Sequence, residues 1–319
     1  MKKPSSAALL KVLVSAGLLG YLAFTIDWNL FWRSLLGADI RYFLLALFVM
    51  PVASLFRFYR FMLIVNERVP EKKRITLYDS FKIYSVGYAL NLIMPGSTGD
   101  IARSYYAYRE YGIKEEMLSA SILDLVFGLV ALFAFGFYYA LRFGFEEYAV
   151  ASALVLVAGL IFIFFPRIVP WKLVERVAGL ARINLDTNSL LNGTLISARL
   201  KIYGLFISVV SWYFTFIQFY FITRMYNTGI TFSFASGMFP LILVSRLLPI
   251  AVNGLGTQEA VVTYLFSRAG VSPAKSVLVS LTLTVTFIVI IGLFGIYLIA
   301  RMKERESPSG RRNKKRKSR

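Results

Sequence analysis

Six apolar stretches constrain the fold of this chain, because each is long enough to cross the hydrocarbon core of a bilayer as a helix. They cover residues 8–26, 42–65, 117–141, 148–165, 202–224 and 276–300. A core of about 30 Å needs about 20 apolar residues in a helix, and each stretch is close to that length. Since 57% of the 319 residues are hydrophobic, we predict an all-α polytopic membrane protein.

Two further apolar segments are interrupted by residues that a membrane-crossing helix avoids. Residues 77–94 run into "PGSTGD", and residues 234–250 run into "PIAVNGLGTQE". Each is followed by a second helix-forming piece, so each segment either turns back as a re-entrant hairpin or continues across the membrane. The first alternative gives six full crossings and the second gives eight. In both, the two termini lie on the same side.

The distribution of basic residues favours the hairpins. The connection 166–201 carries six Lys and Arg residues and only two acidic ones, and the tail after Ala300 carries ten Lys and Arg residues. Basic segments stay in the cytoplasm, so the connection and the tail are predicted to share that side, together with the basic loop 66–76. Only six full spans plus two re-entrant hairpins satisfy this condition, with loops 27–41 and 142–147 outside. The hairpins then enter from opposite faces, as an inverted, pseudo-symmetric repeat typical of secondary transporters.

The charge of the chain fits a membrane location. We expect residues 1–300 to form the membrane domain, with an uncleaved first span, and residues 301–319 to form a basic, disordered cytoplasmic tail. Part of the formal charge of +19 lies in this tail, where it would contact anionic membrane lipids, so no nucleic acid is expected as a partner. The predicted location is the plasma (inner) membrane, multi-pass, with both termini cytoplasmic.

The sequence contains no cysteine and no histidine. The absence of these residues excludes disulfides, thiolate nucleophiles, a Ser-His triad and the most common metal ligands. We therefore expect no metal and no cofactor, and any proton chemistry would have to use Asp, Glu, Lys, Arg or Tyr. We also expect the chain not to be an enzyme, with a hydrolase as the alternative considered below.

Polar residues inside apolar segments are costly, which makes them candidates for a functional site. The hairpin turns would direct helix N-termini at a common central site suited to an anion, with glycines allowing close approach and prolines ending the entering helices. The candidate substrate-binding residues are Asn91, Pro95, Gly96, Gly99, Asp100 and Arg103 in the first hairpin, Asp124 in the span 117–141, and Arg246, Asn253, Gly254, Gly256, Gln258 and Glu259 in the second hairpin.

Structural alternatives exist for several of these residues. Asp100 and Arg103 are three residues apart and could pair with each other. Asn91 and Asn253 could hydrogen-bond neighbouring helices. Asp124 could pair with an arginine or act in gating or proton transfer.

Arg57 and Arg60 share one face near the cytoplasmic end of the second span. We expect their side chains to extend to the membrane interface rather than to bind phosphate.

Four segments carry a resemblance to a known family. They are "RFYRFMLI" (57–64), "NLIMPGSTGDIAR" (91–103), "SILDLVFGL" (121–129) and "LPIAVNGLGTQEAVVTYLFSRAGVSPAKS" (248–276). Through them the chain resembles the membrane domain of lysylphosphatidylglycerol synthases and its free-standing, flippase-like relatives. Where the family commonly has Glu-Arg and Arg-Glu, this chain has Asp124-Leu125 and Gln258-Glu259. The resemblance implies lipid translocation and, because the match is to the membrane part, no aminoacyl transfer.

The leading hypothesis is a lipid transporter that moves a phospholipid or a lipid-linked glycan between leaflets. Arg103 and Arg246 would hold the phosphate, while Asp100 and Glu259 would position these arginines or exchange a proton. The expected partners are an anionic or lipid-linked substrate, membrane lipids, and a second copy of the chain or a separate lipid-modifying enzyme. One alternative is a scaffold or accessory subunit of such an enzyme. The other is an intramembrane hydrolase that uses Asp100 and Asp124.

Overall fold

A computed structural model describes residues 6–93, 99–113, 115–172, 176, 187–247 and 254–306. Within these residues the secondary structure is helical, as predicted, with turns and no strand. The helices are α1 (Ser6–Thr25), α2 (Trp28–Leu36), α3 (Ile40–Asn66), α4 (Leu77–Ile93), α5 (Gly99–Tyr111), α6 (Glu115–Phe143), α7 (Glu146–Phe164), α8 (Thr187–Thr194), α9 (Ala198–Met225), α10 (Phe232–Leu247), α11 (Thr257–Ser267), α12 (Pro273–Thr284) and α13 (Ile290–Glu306), with a short 3-10 turn at Glu71–Lys73 and a π-helical turn at Val285–Val289.

Short polar residues start several of these helices. The side chains of Asp27, Asp39, Ser197 and Ser272 each accept a hydrogen bond from a backbone N–H in the first turn of α2, α3, α9 and α12. Such caps satisfy N–H groups that have no partner within the helix.

Among the described residues, five helices are long and apolar enough to cross a membrane. They are Ile40–Asn66, Glu116–Phe143, Glu146–Phe164, Ala198–Met225 and the continuous run Pro273–Arg301. A sixth is added if the pair Leu13–Thr25 and Trp28–Leu36, bent by 88°, counts as one span. The five long segments coincide with five of the six predicted apolar stretches to within four residues at each end. Helix α1, Ser6–Thr25, covers nearly all of the remaining stretch, 8–26.

Helix α2 was not predicted, because its sequence was assigned to an external loop. It is short and amphipathic, with Phe31 buried and Trp28, Trp32 and Leu36 exposed. An amphipathic helix with exposed tryptophans is typical of a segment that lies along a membrane interface.

The first interrupted segment forms an antiparallel pair of helices, α4 and α5. Near the turn, the Asn91 side chain accepts a hydrogen bond from Gly99 N at 2.8 Å. At the other end of the pair, the Tyr111 hydroxyl donates to Asp79 Oδ1 at 2.9 Å. Contacts at both ends mean that α5 returns along α4 instead of continuing in the same direction.

The second interrupted segment forms a similar pair, α10 and α11. The Thr257 hydroxyl donates to Ser245 O at 3.2 Å. Gly254 and Gly256 adopt φ of +77° and +85° in the turn that leads into α11. Glycine is the residue that takes this conformation without strain, which explains the "NGLG" sequence.

Contacts between loops define two ends of the helix bundle. At the basic end, which contains residues 66–76, 112–113 and 193–197, Arg68 Nε donates to Gly193 O at 3.3 Å and the Ser197 hydroxyl donates to Glu67 Oε2 at 3.3 Å. At the opposite end, which contains residues 37–39, 225–231 and 268–272, Asp39 N donates to Met225 O at 2.9 Å.

The two helix pairs start from different ends. Helix α5 ends at the basic end, where Lys73 Nζ donates to Gly112 O at 3.4 Å. Helix α10 follows residues 225–231 directly, so it starts from the opposite end. The two pairs are therefore connected to loops at opposite ends of the bundle.

The buried apolar residues form two clusters, one in each half of the chain. One cluster is built mainly from α3–α6, and the other mainly from α9–α12 together with α1 and α2. Helix α13 continues to Glu306, so residues 301–306 of the expected tail are helical. The remainder of the tail lies outside the described residues.

Candidate functional site

A cavity of about 160 Å³, which we call the arginine cavity, is lined by residues of the first helix pair and by residues of α10 from the second. Both halves of the chain contribute to its wall. The lining residues are Arg57 and Arg60 from α3, Tyr84, Tyr88 and Asn91 from α4, Arg103 from α5, Asp124, Leu125, Gly128 and Leu129 from α6, Trp212 from α9, Leu243 and Arg246 from α10, and Phe287 and Ile288 from the π turn.

Asp124 is the centre of a buried network of charges in this wall. Its Oδ1 accepts a hydrogen bond from Arg60 Nε at 2.8 Å, and its Oδ2 accepts one from an Arg103 guanidinium nitrogen at 2.9 Å. The Tyr84 hydroxyl also donates to Oδ2. All three charged residues are at most 3% exposed. Pairing of this quality is what allows charges to remain in an apolar interior.

Arg103 is fixed by aromatic rings as well as by Asp124. Its guanidinium lies 3.9 Å from the centroid of the Tyr84 ring and 4.7 Å from that of Phe61. A guanidinium stacks readily on aromatic faces, which a lysine does less well. The Cδ of Arg103 would also lie only 3.1 Å from a Cβ at Gly87, so glycine at that position of α4 leaves room for the arginine.

Arg57 lines the cavity with neutral neighbours. It donates to the Tyr88 hydroxyl at 3.0 Å and to Thr215 Oγ1 at 3.4 Å, and its guanidinium lies 6.0 Å from the centroid of the Trp212 ring. Its Nε is buried, and no described residue accepts a hydrogen bond from it. A buried donor of this kind is suited to an acceptor on a ligand.

The lining is strongly positive. Among the described lining residues there are four arginines and a single carboxylate, that of Asp124. Arginine offers five N–H donors in a planar fork that matches the oxygens of phosphate and carboxylate groups. The cavity therefore offers the donors and the positive charge that an anion requires.

Four of the predicted site residues meet in this cavity. Asn91, Arg103, Asp124 and Arg246 come from four different helices and all line it. Asn91 also joins α4 to α5 through its bond to Gly99 N, as the structural alternative predicted. Gly99 would have no room for a side chain, because a Cβ there would lie 2.5 Å from Gly87 O.

The other predicted residues of the second hairpin have different surroundings. Glu259 accepts hydrogen bonds from Gly256 N at 2.8 Å and from the Ser280 hydroxyl at 3.0 Å. Gln258 donates to Ser280 Oγ at 2.7 Å and to Thr284 Oγ1 at 3.1 Å. Both side chains therefore fix the start of α11 and its packing on α12, and neither lines the cavity.

A few predicted residues are described incompletely. Pro95, Gly96 and Asn253 lie outside the described residues. Asp100 lies in the first turn of α5, and only its backbone is described.

The expectation that Arg60 reaches the membrane interface is wrong. Arg60 is 3% exposed and is bound by Asp124 and by the Ser208 hydroxyl. Arg57 is likewise bound within the bundle. The local sequence predicted that these side chains reach the interface because it describes a single helix. The groups that accept hydrogen bonds from Arg57 and Arg60 lie on three other helices, α4, α6 and α9.

The aromatic part of the wall was not among the predicted site residues. Tyr84 and Tyr88 precede Asn91 by seven and three residues, which places all three on one face of α4. This spacing was a usable signal, since a polar face on a segment otherwise rich in apolar residues indicates an internal site. Trp212, whose indole N–H donates to Gly128 O at 2.7 Å, has no comparable signal.

The described part of the chain contains no group of three acidic residues that could hold a metal ion. The chemistry offered by the described lining is therefore that of guanidinium, phenol and amide donors around one carboxylate.

The family model described as "Lysylphosphatidylglycerol synthase TM region" matches residues 8–304, which include every residue of the cavity. No curated protein matches the chain.

Proposed function

Since the chain belongs to the family of lysylphosphatidylglycerol synthase transmembrane regions, we propose that it moves a phosphate-bearing lipid between the two leaflets of its membrane. The family links the chain to lipid modification, and the cavity supplies the chemistry for binding. The observation that carries the proposal is the lining of four arginines around one carboxylate. A lipid phosphate is the anion that a cavity inside a membrane bundle would meet most often.

The path of the lipid would depend on the two helix pairs. In this proposal α4–α5 and α10–α11 are re-entrant hairpins that enter the membrane from opposite faces. Support comes from the loop contacts, which bring residues 66–76 and 193–197 to one end and residues 37–39 and 225–231 to the other. Two hairpins that meet at a central site can each open toward one face, as alternating access requires.

The size of the cavity favours binding of a headgroup alone. Its volume of about 160 Å³ is below the roughly 300–1,000 Å³ of pockets that enclose a drug-sized ligand. A phosphate fits within the arginines, and the rest of the lipid remains outside the cavity.

Transport needs no covalent step, and the surroundings of Asp124 support this. Both of its carboxylate oxygens accept hydrogen bonds from arginine side chains or Tyr84. The hydrolase hypothesis would need this carboxylate to share a proton with Asp100, and these bonds do not favour that exchange.

The test measures lipid movement by the purified protein in liposomes that contain a fluorescent phospholipid in one leaflet. We expect Arg57→Gln and Arg246→Gln to slow the movement by about tenfold or more, because a hydrogen bond to a charged group contributes about 1.5–3 kcal/mol. Arg142→Gln is the control, since Arg142 is exposed at the opposite end of the bundle. Equal rates in all four proteins, with the two cavity variants correctly folded, would refute binding of the phosphate in this cavity.

A further inference from the structure

A second cavity, of about 540 Å³, opens on the outer surface of the bundle between α3, α4 and α13. Its lining contains no charged residue, and its walls include Pro51, Leu55 and Phe58 from α3, Phe81 from α4 and Ile291 from α13. Leu55 is 49% exposed on its rim. We call this cavity the apolar groove. In a bilayer its surroundings are hydrocarbon chains.

The apolar groove and the cavity that contains the arginines are lined by neighbouring residues of the same helices. On α3, Arg57 lines the cavity and the next residue, Phe58, lines the groove. On α4, Tyr84 lines the cavity, and Phe81, one helical turn earlier, lines the groove. The Phe58 ring contacts both of these, with centroids 5.1 Å from Tyr84 and 5.6 Å from Phe81.

The third helix repeats this arrangement. Ile288 in the π turn lines the cavity, and Ile291, three residues later, lines the groove. Each of three neighbouring segments thus carries one residue facing each compartment. The arginine cavity and the apolar groove are therefore close neighbours, and the buried Phe58, which lines the groove, packs against Tyr84, which lines the cavity.

We propose that the apolar groove binds a hydrocarbon chain of the transported lipid while the phosphate of the same lipid occupies the arginine cavity. This inference rests on the proposed function and adds the binding site for the chain. The arginine cavity is too small for more than a headgroup, and the apolar groove is a larger uncharged compartment beside it. A lipid that passes beside the Phe58 ring places its chain in the uncharged groove and exposes only its phosphate to the arginines.

The geometry also restricts the ligand. The chain must begin close to the phosphate, because neighbouring residues such as Arg57 and Phe58 line the two compartments. The class of substrate is therefore a lipid in which phosphate and hydrocarbon are joined directly or by a short linker.

The experiment uses a long-chain alkyl phosphate with a photoactivatable diazirine in its chain, added to the full-length protein in liposomes. We expect cross-links to concentrate on residues 50–58, 77–81 and 291. Leu55→Trp fills the rim of the groove and should reduce these cross-links at least fivefold, while the affinity for inorganic phosphate changes less than twofold. Leu45→Trp is the control, because Leu45 lies on the same helix with a similar exposure of 43% but does not line the groove.

The outcomes separate this inference from the proposed function. If the protein binds inorganic phosphate in an Arg57-dependent manner but the cross-links avoid the groove or are unchanged in Leu55→Trp, the groove proposal is wrong and the proposed function stands. If the wild-type protein binds neither inorganic phosphate nor the alkyl phosphate, both are wrong.

Discussion

At the scale of single residues, Asp124 determines which arginines of the cavity are held in buried ion pairs. It binds Arg60 and Arg103 directly, so these two arginines belong to the framework of the bundle. Arg57 instead hydrogen-bonds to the neutral hydroxyls of Tyr88 and Thr215. An incoming phosphate can replace neutral partners more easily than it can replace a carboxylate, so we assign ligand binding first to Arg57.

The two buried ion pairs of Asp124 predict a large loss of stability in Asp124→Asn. The substitution leaves two buried guanidinium groups without their counter-charge, and breaking a buried pair in this way costs about 3–5 kcal/mol. Unfolding of the purified protein in detergent measures the effect. Asp124→Glu keeps the charge and is the matched control, with a smaller loss expected. Equal stability of Asp124→Asn and the wild type would mean that the network does not hold the bundle together.

The sequence predicted which charged residues are costly to bury but not which of them form ion pairs with each other. Asp124 and Arg103 were identified because charges in apolar segments need a reason. The two arginines that pair with Asp124 are Arg60 and Arg103, which lie 64 and 21 residues away from it along the chain. Helical periodicity reports neighbours on the same helix, so it suggested Asp100 for Arg103 and the membrane interface for Arg60.

At the scale of helices, close packing of the first pair depends on glycine. A Cβ at Gly99 would lie 2.5 Å from Gly87 O and 2.6 Å from Asn91 N. Both contacts are with backbone atoms, which cannot move aside without separating α4 from α5. The pair brings Asn91 and Arg103 to the cavity, so its spacing sets the position of both side chains.

We therefore expect Gly99→Ala to destabilise the protein by about 1–3 kcal/mol, as overpacking of a tight contact does. Lipid movement should fall as well, because Arg103 would be displaced. Gly17→Ala is the control: Gly17 is also helical, and a Cβ there would have no neighbour within 4 Å. Thermal unfolding that is the same in both variants would show that the α4–α5 contact tolerates a side chain.

The helices themselves were largely predictable. Apolar length predicted the five long helices and most of α1, and Pro and Gly marked the interruptions. The amphipathic α2 and the π turn were missed for different reasons. Helix α2 is only nine residues long, and the π turn lies within the apolar run 276–300, where a change of helical pitch leaves no mark in composition.

At the scale of the whole molecule, the central claim is that the two helix pairs enter the membrane from opposite faces. The distribution of basic residues predicts it, and the contacts at the basic end support it, since the Ser197 side chain binds the loop that follows α3. With eight crossings, residues 66–76 and 166–201 would be on opposite sides of the membrane. The position of the 166–201 connection therefore distinguishes the two topologies.

The most direct measurement labels single cysteines with a membrane-impermeant maleimide in intact and permeabilised cells. The chain has no cysteine of its own, so Lys72→Cys, Arg199→Cys and Arg268→Cys each report one position. We predict that Arg199→Cys behaves like Lys72→Cys, with no labelling until the cells are permeabilised, and that Arg268→Cys is labelled in intact cells. Labelling of Arg199→Cys together with Arg268→Cys in intact cells would contradict the inverted hairpins.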